Sequence, residues 1–210
     1  MLSAAHLTLT QWLSPAFPTG AFAYSNGLET EIATGTVQDA ASLETWLQNI
    51  LRFGAGWQDA VLLSHALEGG CDALDDLARA LAPCAERLQE GLEQGTAFAR
   101  TITGITGHTL PPRMLPVALA EAAAPLDLPK ADVIALYLQG FGGNLVTIGI
   151  RHVPLGQTEG QAVLSRLAPL IHDLARRAAC VPLDTLGTCA LAGDLAALQH
   201  EVMDVRIFRT

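Results

Sequence analysis

Apolar residues recur along most of the chain at the spacing of an α-helix. One stripe follows positions i, i+3, i+4, i+7 and i+8 and consists of Leu43, Trp46, Leu47, Ile50 and Leu51. Asp39 is a candidate N-cap for this helix, and Gly54 is suited to end it. The pattern therefore predicts a helix between these two residues, with one face turned towards a core.

Several later segments carry helical signals of their own. An apolar ridge over 88–107 predicts a long helix. Pro111 and Pro112 end it, because proline lacks the amide donor and obstructs the preceding turn. A short Ala-rich helix over 113–124 is expected next, and a T-x-x-Q capping box at 158–161 predicts the start of another helix.

The segment 133–150 is apolar on every side, which predicts a buried rather than an amphipathic helix. Gly142 and Gly143 within it predict a close helix crossing, a kink or a short break. No alternating segment predicts a strand. We therefore expect an all-α fold: a single compact domain over 1–210 with about ten helices, an irregular N-terminal segment through about Ser25, and a C-terminal tail.

The composition excludes several classes of protein. Half of the 210 residues are hydrophobic and 16% are charged, so a sizeable core is available. The formal net charge of −9 argues against nucleic-acid binding, which needs clustered Lys and Arg. No apolar stretch approaches about 20 unbroken residues, so we expect no membrane-spanning helix. The first residues do not resemble a secretory signal, which predicts a cytoplasmic protein.

The residues that could carry chemistry form no local motif. The six histidines contain no HxH, HxxxH or HExxH pair and the four cysteines no CxxC pair, so no tightly bound metal is expected. No G-x-S-x-G motif or phosphate-binding loop occurs, and Ser25 is interpreted as a helix cap, so no catalytic residue is predicted. Three alternatives stay open: an enzyme with a dispersed active site, a metal buffer, and a general helical scaffold.

Two segments are more distinctive than packing requires. Residues 13–29, LSPAFPTGAFAYSNGLE, combine Pro, Gly and aromatic side chains before a helix. The end of the chain, HEVMDVRIFRT, places Arg206 and Arg209 on either side of Ile207 and Phe208. Arginine and large apolar residues anchor protein interfaces. The tail is therefore a candidate peptide-like contact, with docking onto its own domain as the alternative.

These segments, together with a third, resemble the urease accessory protein F family (UreF). Residues 14–29 read SPAFPTGAFAYSNGLE, residues 151–161 read RHVPLGQTEGQ, and the tail reads HEVMDVRIFRT, in the order and spacing of the family's motifs. The chain departs from the family in three places. Residues 202–204 replace a segment that often holds Tyr, Arg151 stands where Lys is common, and residues 100–110 keep only the outline of a motif.

The resemblance implies an all-α protein that forms a homodimer and has no catalytic activity of its own. Proteins of this family join accessory protein D (also called H) and the GTPase accessory protein G in an assembly that delivers nickel to apo-urease. In that assembly the F protein is the adaptor between D and G. It is proposed to regulate GTP use and to form part of a tunnel for the metal. No tightly bound cofactor is implied, and nickel is handled only transiently, because a tight site would retain it.

The resemblance also indicates which residues contact partners. The residues that match the family's motifs are Tyr24, Ser25, Gly27, Arg151, His200, Glu201, Arg206, Phe208 and Arg209. We expect the tail to become ordered on the D partner, with Arg206 or Arg209 bound to carboxylates or carbonyls. Arg151 is expected to affect the GTPase or the activation step rather than the binding of D.

Overall fold

Capping residues and apolar stripes produce helices along almost the whole chain. A computed structural model describes residues 3–210, and within this range it contains ten α-helices, three 3-10 turns and no β-strand. The α-helices are α1 (Ala4–Trp12), α2 (Leu28–Ala33), α3 (Ala40–Phe53), α4 (Ala55–Ala66), α5 (Cys71–Ala80), α6 (Ala85–Thr106), α7 (Leu115–Ala123), α8 (Lys130–His152), α9 (Gln157–Ala178) and α10 (Leu191–His200). The all-α prediction is confirmed, and one hydrophobic cluster connects helices α1 to α9.

Helix α3 forms as its sequence predicts. Its N-terminus is capped by Asp39, whose Oδ1 accepts a hydrogen bond from the backbone N–H of Ser42 at 2.8 Å, and Gly54 ends it. All five residues of the apolar stripe are buried, and the helix packs against α4, α8 and α9. Burying one large aliphatic side chain contributes about 1.5–3 kcal/mol, so this stripe anchors α3 in the core.

Helix α8 runs through the centre of the fold. It continues without a break over Gly142 and Gly143, where it crosses α9. The side chain of Leu164 on α9 lies 3.6 and 3.7 Å from the positions that Cβ atoms on these two glycines would occupy. These are ordinary packing distances, so the contact with α9 does not require glycine at either position, and the short break that the sequence also allowed does not occur.

Helix α8 is also long enough and apolar enough to cross a membrane, judged by length and composition alone. The sequence predicted no such helix, because no unbroken apolar stretch approaches about 20 residues. The mean hydropathy of α8 is nevertheless high, although the helix contains Gln139 and Asn144. Half of its most apolar window is buried inside the fold, where α8 contacts α3, α4 and α9. These contacts are those of a core helix.

The N-terminal segment is less irregular than predicted. Residues through Ser25 were expected to lack regular structure, but 4–12 form helix α1, in which Leu9 and Trp12 are buried. Ser3 and His6 form a capping box at its start, with the Ser3 N–H donating to His6 Nδ1 at 3.3 Å. Only the stretch between α1 and α2 is irregular, apart from one 3-10 turn.

Gly27 allows the close approach of α10 to the start of α2. Its φ is +80°, and a Cβ at this position would lie 2.9 Å from the backbone nitrogen of Ala197 on α10. A residue other than glycine would therefore be strained and would also push α10 outwards. The buried position gives Gly27 a packing role inside the chain.

The substitution Gly27→Ala is expected to lower the free energy of unfolding by about 1–3 kcal/mol, because backbone strain and a backbone clash add together. Urea denaturation measures this loss. Gly35→Ala is the matched control, because Gly35 has a φ of +78° but no atom within 4 Å of its Cβ position. Equal losses for both variants would show that contact with α10 contributes nothing.

Candidate functional site

The three distinctive sequence segments meet on one side of the molecule. The backbone N–H of Ser25 donates to the Thr210 carbonyl at 3.0 Å, and that of Arg209 donates to the Ala23 carbonyl at 2.8 Å. At the end of α8, the ring of His152 meets the ring of Phe208 edge-on, with 4.9 Å between centroids. The N-terminal segment (14–29), the end of α8 and the tail (201–210) thus form one continuous surface.

The tail is ordered against its own chain. Phe208 is only 8% exposed and Thr210 is buried, whereas Ile207 is 69% exposed. The apolar pair Ile207 and Phe208 is therefore divided between the surface and the interior. The order of the tail in this structure therefore comes from its own domain, the alternative to ordering on a D partner.

A fully buried histidine lies at the base of the tail. His200 Nδ1 is 2.7 Å from Glu86 Oε2, and its Nε2 is 2.9 Å from Glu29 Oε2. An ionised carboxylate only accepts hydrogen bonds, so both contacts are hydrogen bonds only when the imidazole carries two protons. The geometry thus places a buried imidazole between two carboxylates.

Glu29 holds the tail as well as His200. Its Oε1 accepts from the backbone N–H of Ile207 at 2.7 Å, and its Oε2 accepts from that of Phe208 at 2.9 Å. Burial acts to raise the pKa of Glu29, but the hydrogen bonds from His200 and the two amides outweigh it and lower that pKa below its ordinary value. Glu29 is therefore an ionised anchor for the tail.

Glu86 and Glu201 connect the tail to α6. Glu86 Oε1 lies 2.5 Å from Arg206 Nη1, and Glu201 Oε1 accepts a hydrogen bond from the Glu86 backbone N–H at 3.0 Å. That N–H belongs to the first turn of α6, where the exposed amides favour a carboxylate. Both family-matched residues, Glu201 and Arg206, thus have partners within the chain.

Tyr24 and Arg209 form the outer part of the site. The Tyr24 hydroxyl donates to Glu93 Oε2, and Arg209 Nη1 lies 2.6 Å from the same carboxylate oxygen. The Arg209 guanidinium also lies 5.5 Å from the centre of the Tyr24 ring, within cation–π range. Burial and the Glu93 carboxylate raise the pKa of Tyr24, so its hydroxyl keeps its proton as a donor.

Ser25 is a structural residue at this site. Its hydroxyl donates to the Thr210 carbonyl and accepts from the Glu29 backbone N–H at 3.2 Å. Thr210 in turn donates from Oγ1 to Glu90 Oε2 at 2.9 Å, and accepts from the Asn26 N–H at 3.2 Å. The N-cap of α2 is Gly27, so Ser25 binds a first-turn amide from outside the helix and is not its N-cap.

Arg151 stands apart from these contacts. It is exposed on the last turn of α8, next to His152, and has no ion-pair partner among residues 3–210. It borders a cavity of about 460 Å³ that lies between α1, α4, α6, α7 and α8. Arg151 is thus available on the surface to a partner.

Polar side chains that the sequence analysis missed line this cavity. Tyr137 donates from its hydroxyl to Asp59 Oδ2 at 2.6 Å, and Arg87 pairs with Glu90. Burial raises the pKa of Asp59 to about 6, although the hydrogen bond from Tyr137 opposes this shift. The available signal was the one acidic residue of α4, Asp59, in an otherwise uncharged run of mostly small and apolar residues.

No group of three His, Cys, Asp or Glu side chains within 3–210 is arranged to hold a metal ion. The charged side chains at the tail are engaged with one another and with backbone amides, an arrangement suited to fixing a surface. The geometry therefore supports a binding surface next to a polar cavity.

Comparison with known proteins gives a consistent result. A family model described as UreF matches residues 37–168. The urease accessory protein UreF of Cereibacter sphaeroides is 62% identical over 210 residues, which cover 100% of both chains. The same protein of Paracoccus denitrificans is 49% identical over 99% of this chain and 97% of its own length. That of Roseobacter denitrificans is 46% identical over 100% of this chain and 96% of its own length.

These relatives match the N-terminal segment and the tail as well as the helices between them, and the family model by itself covers more than half of the chain. The chain belongs to the UreF family of urease accessory proteins.

Proposed function

We propose that this protein is a non-catalytic adaptor of urease maturation, which joins accessory protein D (or H) to the GTPase accessory protein G while nickel is delivered to apo-urease. Family membership supports the role in urease maturation. The observation that carries the adaptor proposal is the meeting of the N-terminal segment, the end of α8 and the tail in one surface. All the family-matched residues except Gly27 make contacts on this surface or lie beside it.

The D partner, in this proposal, binds an exposed apolar ridge beside the docked tail. The ridge follows positions i, i+4 and i+7 of α10 and continues into the tail, and its members are Leu191, Leu195, Leu198, Val202, Val205 and Ile207. Contiguous exposed apolar side chains mark interaction sites, and the arginines beside them provide the polar rim that interfaces need. The G partner binds on the side of Arg151, and the two partners therefore use adjoining surfaces.

The protein acts in the cytoplasm as a homodimer in this proposal and handles nickel only as cargo. The cavity beside α8 supports a transient passage for the ion, since Asp59 and Glu90 supply oxygen atoms without a converging ligand set within 3–210. A metal buffer, the main alternative, would instead retain nickel in stoichiometric amount through dialysis.

The tail itself is a poor place for a truncation test. Removal of residues from Arg206 onward would take away buried Phe208 and Thr210, so that lost binding and lost structure would be confounded. A substitution on the exposed face of the tail separates the two effects, because it changes the surface and leaves the docking contacts in place.

The variant Ile207→Asp is expected to weaken binding of the D partner at least about tenfold, because a charge would be buried in an apolar interface. The affinity is measured by titration, and light scattering after size-exclusion chromatography gives the stoichiometry. Ile105→Asp is the matched control, since Ile105 is 56% exposed and lies at the far end of α6, about 30 Å from Glu86. If Ile207→Asp binds D as tightly as the unaltered protein, the ridge is not the D surface.

A further inference from the structure

His200 is connected to the tail through both of its carboxylate partners. Glu29 accepts hydrogen bonds from the amides of Ile207 and Phe208, and Glu86 pairs with Arg206. His200 itself is fully buried. The contacts that hold residues 206–208 thus depend on two carboxylates whose positions are fixed by one imidazole ring.

Several titratable or charged groups surround this cluster. They are Glu29 on α2, Cys84 just before α6, Glu86 on α6, His152 on α8, and Glu201, Arg206 and Arg209 in the tail. Burial raises the pKa of the Cys84 thiol, which favours its neutral form. With His200 doubly protonated, its charge and that of Arg206 balance those of the two largely buried carboxylates, Glu29 and Glu86.

Loss of one proton from His200 removes this balance. One ring nitrogen becomes an acceptor while it still faces a carboxylate oxygen less than 3 Å away. Glu29 and Glu86 then face a ring without a net positive charge, and one of the two carboxylates has to move away from it. Movement of Glu29 breaks its hydrogen bonds to the amides of Ile207 and Phe208, and movement of Glu86 breaks its pair with Arg206.

We propose that His200 is a protonation-controlled latch for residues 206–208. These residues are docked while the imidazole carries two protons, and they are released when one proton is lost as the pH rises. Glu29 remains ionised through this range, because its hydrogen bonds lower its pKa below the ordinary value. The hydrogen bonds of Arg209 to Ala23 and of Thr210 to Ser25 and Glu90 do not involve Glu29 or Glu86, so release frees residues 206–208 and with them the Ile207 end of the ridge.

The latch can be tested on the full-length protein without any partner, so its failure would leave the adaptor proposal standing. The imidazole signal of His200 and the methyl signals of Ile207 are followed by NMR from about pH 6 to about pH 9. We expect the methyl signals to shift with the same midpoint as His200. The ratio of docked to released tail is expected to fall at least about tenfold, because two charge-assisted hydrogen bonds are lost.

Two variants separate His200 from its neighbours. In His200→Gln the methyl signals should no longer respond to pH, because glutamine does not titrate. In His152→Gln the response should persist, although His152 contacts Phe208. The latch is overturned if His200 titrates while the tail signals stay constant, if His200 does not titrate in this range, or if the response survives in His200→Gln and disappears in His152→Gln.

Discussion

Replacing Asp59 by asparagine is expected to increase the free energy of unfolding at neutral pH by up to about 3 kcal/mol. Burial in the cavity wall raises the pKa of Asp59 from 3.8 to about 6, so the folded protein resists ionisation of this side chain. In the unfolded chain the carboxyl ionises at its ordinary value. The folded state is therefore penalised progressively as the pH rises from about 4 through about 6, and the penalty is complete above that range.

Asparagine cannot ionise and does not carry this penalty, and its carbonyl oxygen can still accept the hydrogen bond from Tyr137. Urea denaturation at about pH 4.5, about pH 6 and about pH 8 should show a stabilisation that is small at the lowest value and grows with pH. Asp76→Asn is the control, because Asp76 is exposed. A difference between Asp59→Asn and the unaltered protein that does not vary with pH would contradict this account.

Replacing Arg87 by methionine is expected to have the opposite effect and to lower the free energy of unfolding by about 3–5 kcal/mol. The Arg87 side chain is 11% exposed, pairs with Glu90, and donates to the Asn26 amide oxygen at 3.1 Å when that amide faces it. Its charge also lowers the pKa of Asp59. Methionine fills a similar volume but leaves a buried carboxylate without a cation.

The double variant Arg87→Met/Glu90→Gln should recover part of that loss, because the unpaired carboxylate is then absent. Arg177→Met is the control for an exposed ion pair, as both Arg177 and Asp173 have more than half of their side chains exposed, and we expect a change of about 0–1 kcal/mol. Urea denaturation at one pH measures all three variants. If Arg87→Met were no more destabilising than Arg177→Met, the Arg87–Glu90 ion pair would be exposed to solvent and not buried.

The helices were predictable because their signals are local. The apolar stripe on α3 and its Asp39 cap both depend on residues a few positions apart. Helix α1 was missed because its nine residues contain three polar side chains in alternate positions, which obscure the single buried face formed by Leu9 and Trp12.

The candidate site was only partly predictable, since it depends on contacts between distant parts of the chain. The resemblance to the UreF family indicated His200 and Arg206, but their partners Glu29 and Glu86 lie 171 and 120 positions away. No local pattern relates such residues. The exposure of Ile207 and the burial of Phe208 could not be predicted either, because an irregular segment has no repeating pattern of buried and exposed positions.

The hydrogen bond between Ser25 and Thr210 joins residues 185 positions apart, and so it closes a loop that contains nearly every helix. Closing so long a loop is entropically costly unless the intervening chain is already compact. The tail can therefore dock only after the helices between these residues have packed. A partner that binds the docked tail would therefore bind only molecules that have finished folding. Partly folded molecules would be left out of the assembly.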